Sequence, residues 1–118
     1  MNVNYIGPVG MDVHHPATCG CDFSGFPDSC YLVEVGDTAG IKGPIIEGDV
    51  LVVDEQRYPH HDDFIIVNSG CHSRLHRTVR MGDRMLAIPM LGPRNTFLIT
   101  QEIFRGVVIC QHRRFFYV

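Results

Sequence analysis

A threonine in a glycine-rich loop is the first candidate for chemistry in this 118-residue chain. Residues 30–54 have the pattern of a strand, a Gly36-Asp37 turn, an exposed Thr38, a glycine-rich loop, a second turn at Gly48-Asp49 and another strand. Nucleophilic catalysis needs such a hydroxyl close to a group that can take its proton. The pattern therefore makes Thr38 a candidate nucleophile, with Asp37 in the turn that presents it.

The dipeptide His76-Arg77 holds two side chains that differ sharply as proton acceptors. A histidine has a reference pKa of about 6.5 and can act as a base near neutral pH. An arginine stays protonated at every accessible pH, so Arg77 cannot take a proton from a hydroxyl. If the base for Thr38 lies in this dipeptide, only His76 can serve, and Asp54 or Asp63 would then orient the imidazole.

A second cluster, near the N-terminus, holds the side chains that zinc prefers. Cys19 and Cys21 are close in sequence to His14 and His15, and Cys30 follows. Structural zinc sites usually place about two to four residues between paired cysteines, and only one residue separates this pair. No metal or other cofactor is therefore predicted, and a small metal-binding β domain remains a third interpretation.

Two further groupings of polar residues are interpreted as structural. Residues 60–63, with the sequence HHDD, are expected to form a solvated turn before a strand. Cys71 and His72 are adjacent, and neighbouring side chains on a strand point to opposite faces, so they are not predicted to form a catalytic pair.

The elements that would position these residues are short strands. After residue 30, β-branched runs alternate with turn residues, and no window has helical apolar spacing. The sequence predicts an all-β fold, an antiparallel barrel or sandwich, over residues 30–118. Residues 1–29, with frequent Gly and Pro, are predicted to be an irregular N-terminal arm. The predicted strands are 31–35, 50–53, 64–67, 85–88, 97–100 and 107–109.

Composition and charge limit the classes of partner. The net charge is −3 and the pI is about 6.1, so no general attraction to nucleic acid is expected. A local group of arginines is expected to pair with nearby carboxylates rather than to bind DNA (Arg74, Arg77, Arg80 and Arg84 with Asp37, Asp49, Asp54 or Glu55). The odd count of five cysteines favours a reducing, cytoplasmic location. The sequence has no run of about 18 apolar residues, so no membrane span is predicted.

Five segments, in order, resemble the LexA/UmuD-type autopeptidases and, more distantly, the type I signal peptidases of the same fold. They are Gly36-Asp37-Thr38-Ala39, Gly48-Asp49-Val50-Leu51-Val52-Val53-Asp54, Asp62-Asp63-Phe64-Ile65-Ile66-Val67, His76-Arg77 and Gly106-Val107-Val108. The resemblance covers about residues 31–113. It implies a barrel or clip of short antiparallel strands, like the C-terminal domain of LexA.

The resemblance also shows where this chain departs from the family's catalytic pattern. Thr38 stands where the family has its serine, and Ala39 replaces the methionine that follows. The family's general-base lysine falls on His76, or on Arg77 if the alignment shifts by one residue. Cys19-Gly20 is similar to the dipeptide at which family members cut themselves, although it lies closer to Thr38 than the family's arm does.

The resemblance implies a free-standing, catalytically inactive domain that works by protein contacts in a DNA-damage or phage-type regulatory setting. Its expected partners are a second copy of itself, a recombinase filament, a translesion polymerase or a repressor-type protein. No helix-turn-helix pattern is present, so direct nucleic-acid binding is not expected. The alternative is an active peptidase that cuts itself or a partner with Thr38 as nucleophile and His76 as base.

Overall fold

The computed structural model describes residues 2–9, 23, 25–36, 41–42, 45–90 and 96–113. The described part of the chain is all β, as predicted. It contains no helix, and hence none long and apolar enough to cross a membrane. Its ten strands are β1 Asn2–Pro8, β2 Cys30–Val35, β3 Ile41–Lys42, β4 Ile45–Ile46, β5 Val50–Asp54, β6 Phe64–Ser69, β7 His72–Met81, β8 Arg84–Pro89, β9 Phe97–Leu98 and β10 Phe104–His112.

Eight strands form one antiparallel sheet in the order β1-β2-β5-β10-β6-β7-β8-β9, and β3 pairs with β4 separately. β1 also pairs with β7, which joins the first six strands of this order into a ring. The arrangement agrees with the predicted barrel-like architecture. β8 and β9 continue the sheet beyond the ring.

The continuous apolar runs in the central strands are explained by burial on both faces. In β5, Leu51 and Val53 belong to a cluster inside the ring, while Val50 and Val52 belong to a second cluster on its outer face. All four side chains have no exposed surface. A strand covered on both sides needs apolar residues at successive positions, whereas a strand covered on one side alternates.

Four strands are absent from the sequence-based prediction: β1, β3, β4 and β7. β3 and β4 lie in the stretch that was predicted to be a glycine-rich loop. The irregular structure predicted for residues 1–29 is wrong for Asn2–Pro8, which form β1 and pair with both β2 and β7. The long strand β7 is absent from the predicted runs because exposed arginines interrupt its apolar residues. The six predicted strands are all present, but β9 ends two residues early and β10 extends from 104 to 112.

One glycine allows β10 to cross β5 closely. Gly106 has a φ of 134°, and a Cβ at this position would lie 2.6 Å from Val53 Cγ1 and 2.9 Å from the Asp54 carbonyl oxygen. The register of β10 against β6 shifts at the same place. Only glycine fits this bulge, since both the backbone angle and the contact exclude a side chain.

Candidate functional site

The strand that leads into the Thr38 loop ends beside β1. Gly36, the residue after β2, donates its N–H to the carbonyl oxygen of Asn2 at 2.8 Å. Asn2 in turn pairs with Arg74 of β7. The described end of β2 is therefore linked through one residue of β1 to β7.

Several predicted site residues lie outside the described part of the chain. These are Asp37, Thr38 and Ala39 in the loop, and the cleavage-like dipeptide Cys19-Gly20. Gly36 is the last described residue before the loop, and Ile41, which pairs with Ile46, is the first described residue after Ala39.

His76 is buried in an apolar setting on the outer face of the ring. Its side chain is 5% exposed, and it pairs across the sheet with Ile65 on one side and Pro89 on the other. Phe97 of β9 packs edge-on against the imidazole, with 5.2 Å between the ring centroids. The sequence identified His76, but it did not reveal that a strand 21 positions later covers it.

This burial determines the protonation state of His76. Loss of water around the ring is the largest cause of the shift, and it lowers the pKa of His76 to about 4. The Nδ1 atom has no hydrogen-bond partner among the described residues. The imidazole is therefore neutral at pH 7, and it is a weaker base than an ordinary histidine.

Neither carboxylate predicted to orient His76 is hydrogen-bonded to it. Asp54 Oδ1 accepts from Ser29 Oγ at 2.7 Å and from the Gln56 N–H at 3.0 Å. Asp63 Oδ2 accepts from the N–H of His60 at 2.7 Å. The orienting role predicted for these two residues is therefore not seen. The Asp54 carboxylate accepts a hydrogen bond in the turn after β5, and the Asp63 carboxylate accepts one in the turn before β6.

Arg77 is exposed on the strand next to His76, between Phe64 and Ile88 of the adjacent strands. Alternation along β7 puts it on the opposite face from Arg74 and Arg80. The arginines of β7 are therefore divided between the two faces of the strand.

An ion pair that the sequence did not predict, between the buried Asp49 and the partly exposed Arg113, holds the base of the loop. Asp49 has no exposed surface, and its carboxylate accepts from Arg113 Nε at 2.8 Å and Arg113 Nη2 at 2.9 Å. Gln111 Nε2 donates to the same carboxylate at 2.6 Å, and the Ile46 N–H donates at 3.1 Å. The predicted pairing of Asp49 with an arginine of 74–84 is wrong, because the end of β10 supplies its partner.

The charge on Asp49 is stabilised by these donors. Burial alone would raise the pKa of the carboxyl group, but the hydrogen bonds from Arg113, Ile46 and Gln111 outweigh burial and lower the pKa of Asp49. Asp49 is therefore ionised at neutral pH, and it joins the turn before β5 to the end of β10.

The described cysteines and histidines do not assemble a metal centre. No group of three or more His, Cys, Asp or Glu side chains among the described residues is arranged to hold a metal ion. Cys30 is 1% exposed in an apolar cluster, and burial raises the pKa of its thiol, which disfavours the thiolate that zinc requires. His60 and His61 lie in an exposed turn, as predicted, while the arm residues of the proposed zinc set are outside the described ranges.

One thiol–imidazole contact was missed by the sequence argument. Cys110 Sγ lies 3.6 Å from Nε2 of His112, two residues later on β10. Side chains two positions apart on a strand share a face, which is the signal that could have found this pair. Phe23 packs edge-on against the His112 ring at 5.2 Å.

No family model matches this chain, and no curated protein matches it.

Proposed function

We propose that the chain is a LexA/UmuD-like domain that acts through protein contacts and lacks the peptidase activity of that family. The observation that carries the inactive assignment is the burial of His76 beneath Phe97, with its pKa near 4. A general base works best when its pKa is close to the working pH, and this imidazole is far from that optimum. The change from serine to Thr38 acts in the same direction, because the β-methyl group restricts and crowds the hydroxyl.

The connections around Gly36 support the family resemblance. Asn2 contacts Gly36 on one side and pairs with Arg74 on the other. Thr38 is two residues beyond Gly36, and His76 is two residues beyond Arg74. The described end of β2 is thus linked to the strand that holds His76, a connection that a hydroxyl–base dyad needs.

Self-cleavage assays on three proteins test the loss of activity. The native chain, Thr38→Ser and Thr38→Ala are incubated from pH 5 to pH 10, and fragments are identified by mass spectrometry. We expect no cleavage of the native chain or of Thr38→Ala. A fragment that forms from the native chain but not from Thr38→Ala would show that the peptidase is active and would refute the inactive assignment.

A double variant tests whether the scaffold is that of the family. Thr38→Ser combined with His76→Lys restores both members of the dyad that the resemblance implies. Cleavage by the double variant, with none by Thr38→Ala/His76→Lys, is the result expected for a conserved scaffold. A double variant that is folded but does not cut would count against the resemblance.

The proposed protein contacts are tested separately from cleavage. A homodimer predicts twice the monomer mass, 2 × 13.3 kDa, in light scattering after size exclusion. Binding to a recombinase filament predicts that the chain sediments with filaments on single-stranded DNA but not with the DNA alone. This part of the proposal would be contradicted by a chain that is monomeric, does not sediment with filaments and does not bind a purified translesion polymerase.

One observation favours the alternative, an active Thr38/His76 peptidase. The neutral imidazole has an Nδ1 atom without a hydrogen-bond partner among the described residues. A buried nitrogen left unpaired is costly, and a hydroxyl group donating to it would remove that cost. This reading predicts cleavage by the native chain with a rate that falls below about pH 4, where His76 becomes protonated.

A further inference from the structure

One end of the ring of strands opens into a cavity of about 370 Å³. Residues near the starts of β2, β7 and β10 and near the ends of β5 and β6 line it. Its apolar floor includes Val33 and Ile66, which belong to the cluster inside the ring. The mouths of β-barrels are frequent ligand sites because the fold leaves a concave surface there.

Polar side chains also line the cavity wall and are hydrogen-bonded to each other. With the Asn68 amide oriented to suit its neighbours, its oxygen accepts from Arg105 Nε at 2.9 Å and Nη2 at 3.1 Å. Its nitrogen then donates to Ser73 Oγ at 3.2 Å. Arg105 Nη1 donates to the carbonyl of Phe104 at 3.0 Å. The guanidinium of Arg105 is thus held by three hydrogen bonds on its own side of the cavity.

Two tyrosine rings form an aromatic wall. Tyr5 is 65% exposed, and its ring centroid lies 5.7 Å from that of Tyr31 at a tilt of 47°. The Tyr31 hydroxyl donates to the Arg105 carbonyl oxygen at 2.5 Å, which fixes this ring in place. An exposed tyrosine beside a fixed one offers a π surface to a ligand at the mouth.

Negative charge predominates among the residues around these rings. Asp28 and Glu55 both line the cavity and are exposed, against the single guanidinium of Arg105. The carboxylate of Glu55 is near enough to Tyr31 to act with burial, the larger cause, in raising the pKa of its hydroxyl. Aromatic faces and carboxylates together favour a cation, since both attract positive charge.

We propose that this mouth binds a cationic group on a short aliphatic stem, the guanidinium of an arginine or the ammonium of a lysine. The stem would lie on the apolar floor, and the charge would sit between the tyrosine rings and the carboxylates of Asp28 and Glu55. The site is independent of the Thr38 loop, because it lies at the start of β2 while that loop follows the end of β2.

The probes are N-acetylarginine amide and N-acetyllysine amide, with N-acetylcitrulline amide as a neutral compound of nearly the same shape as the first. Each is titrated into the isotopically labelled full chain, and ring and amide resonances are followed by NMR. We expect saturable shifts at Tyr5, Tyr31 and residues 28–31 with at least one cation, and binding of citrulline at least about fivefold weaker than that of arginine. Titration of an arginine-containing tripeptide then shows whether the site also accepts the side chain when it is part of a peptide.

Variants separate this site from other exposed aromatic residues. Tyr5→Ala and Glu55→Gln are each expected to weaken binding about fivefold or more, and both side chains are exposed, so the fold should persist. Tyr58→Ala is the matched control, since Tyr58 is 81% exposed and does not line this cavity. The proposal would be overturned if neither cation caused shifts or if the citrulline compound bound as tightly as the arginine compound. It would also be overturned if Tyr58→Ala weakened binding as much as Tyr5→Ala does.

Discussion

At the scale of single residues, His76 combines a polar ring with an apolar site. Its neighbours across the sheet are Ile65 and Pro89, and Phe97 covers it. The folded chain therefore holds the neutral imidazole, whereas the unfolded chain binds a proton below about pH 6.5. Between this value and the folded pKa of about 4, the unfolded state binds more protons, so the stability must rise with pH.

We expect the free energy of unfolding of the native chain to fall by about 3 kcal/mol from His76 alone between pH 7 and pH 4. This contribution is complete above about pH 6.5 and is lost as the pH falls towards the folded value. His76→Leu removes the titrating group and should flatten the profile by about this amount. Urea denaturation followed by circular dichroism at several pH values measures it.

His72→Gln is the control, because His72 is an exposed histidine on the same strand. Its profile should follow that of the native chain. Equal pH dependence in the native chain and His76→Leu would mean that the burial of His76 does not depress its pKa.

Sequence reasoning at this scale found His76 but not its environment. The choice between His76 and Arg77 depended on intrinsic pKa values, and these are properties of a residue type. The covering ring of Phe97 and the pairing of Asp49 with Arg113 depend on strands that meet only in the folded sheet, so their spacing along the chain gave no signal. The orienting role expected of Asp54 and Asp63 was wrong for the same reason, since local turns use both carboxylates.

At the scale of elements, the last residues of β10 are joined to the turn that precedes β5. Asp49 receives hydrogen bonds from Gln111 and Arg113, which are 62 and 64 positions away, and from the nearby Ile46 N–H. Val35 donates its N–H to the Asp49 carbonyl at 2.8 Å, so the end of β2 is held by the same residue. Through its carboxylate and its backbone carbonyl, Asp49 thus joins β4, the end of β10 and the end of β2.

Asp49→Asn should lower the free energy of unfolding by about 3 kcal/mol, because the variant loses the charge and turns amide hydrogens towards the arginine. Glu47→Gln is the matched control, since Glu47 is an exposed carboxylate in the same turn and its loss should change stability by about 0.5 kcal/mol or less. Chemical denaturation measures both. A similar small effect of the two substitutions would show that the ion pair of Asp49 with Arg113 does not stabilise the turn.

The strands differ in how well the sequence predicted them. β5 and β6 were predicted because both of their faces are buried, which produces continuous apolar runs. β7 was not, since only part of it is covered and its arginines remain exposed. β1 was missed because its apolar residues are few, and its position depends on pairing with two strands that lie far apart in sequence.

At the scale of the whole molecule, β1 closes the ring. Val3 pairs with Val35 of β2 and with Ser73 of β7, and its side chain is 5% exposed in the cluster inside the ring. Without this strand, β2 and β7 would each have an edge with unpaired backbone groups. The first residues of the chain therefore determine whether the sheet is closed or open.

Val3→Ala should lower the free energy of unfolding by about 2 kcal/mol, through lost burial and the small cavity that remains. Because Val3 contacts both sides of the closure, hydrogen exchange should become faster in β2 and in the first half of β7. Exchange in β8, which lies beyond the ring, should become faster only by the amount that the loss of global stability accounts for.

Asn4→Ala is the control, since Asn4 is exposed on the same strand and its substitution should leave both the exchange rates and the stability nearly unchanged. If Val3→Ala accelerates exchange equally in every strand, the ring opens only by global unfolding and β1 is not a separate closing element.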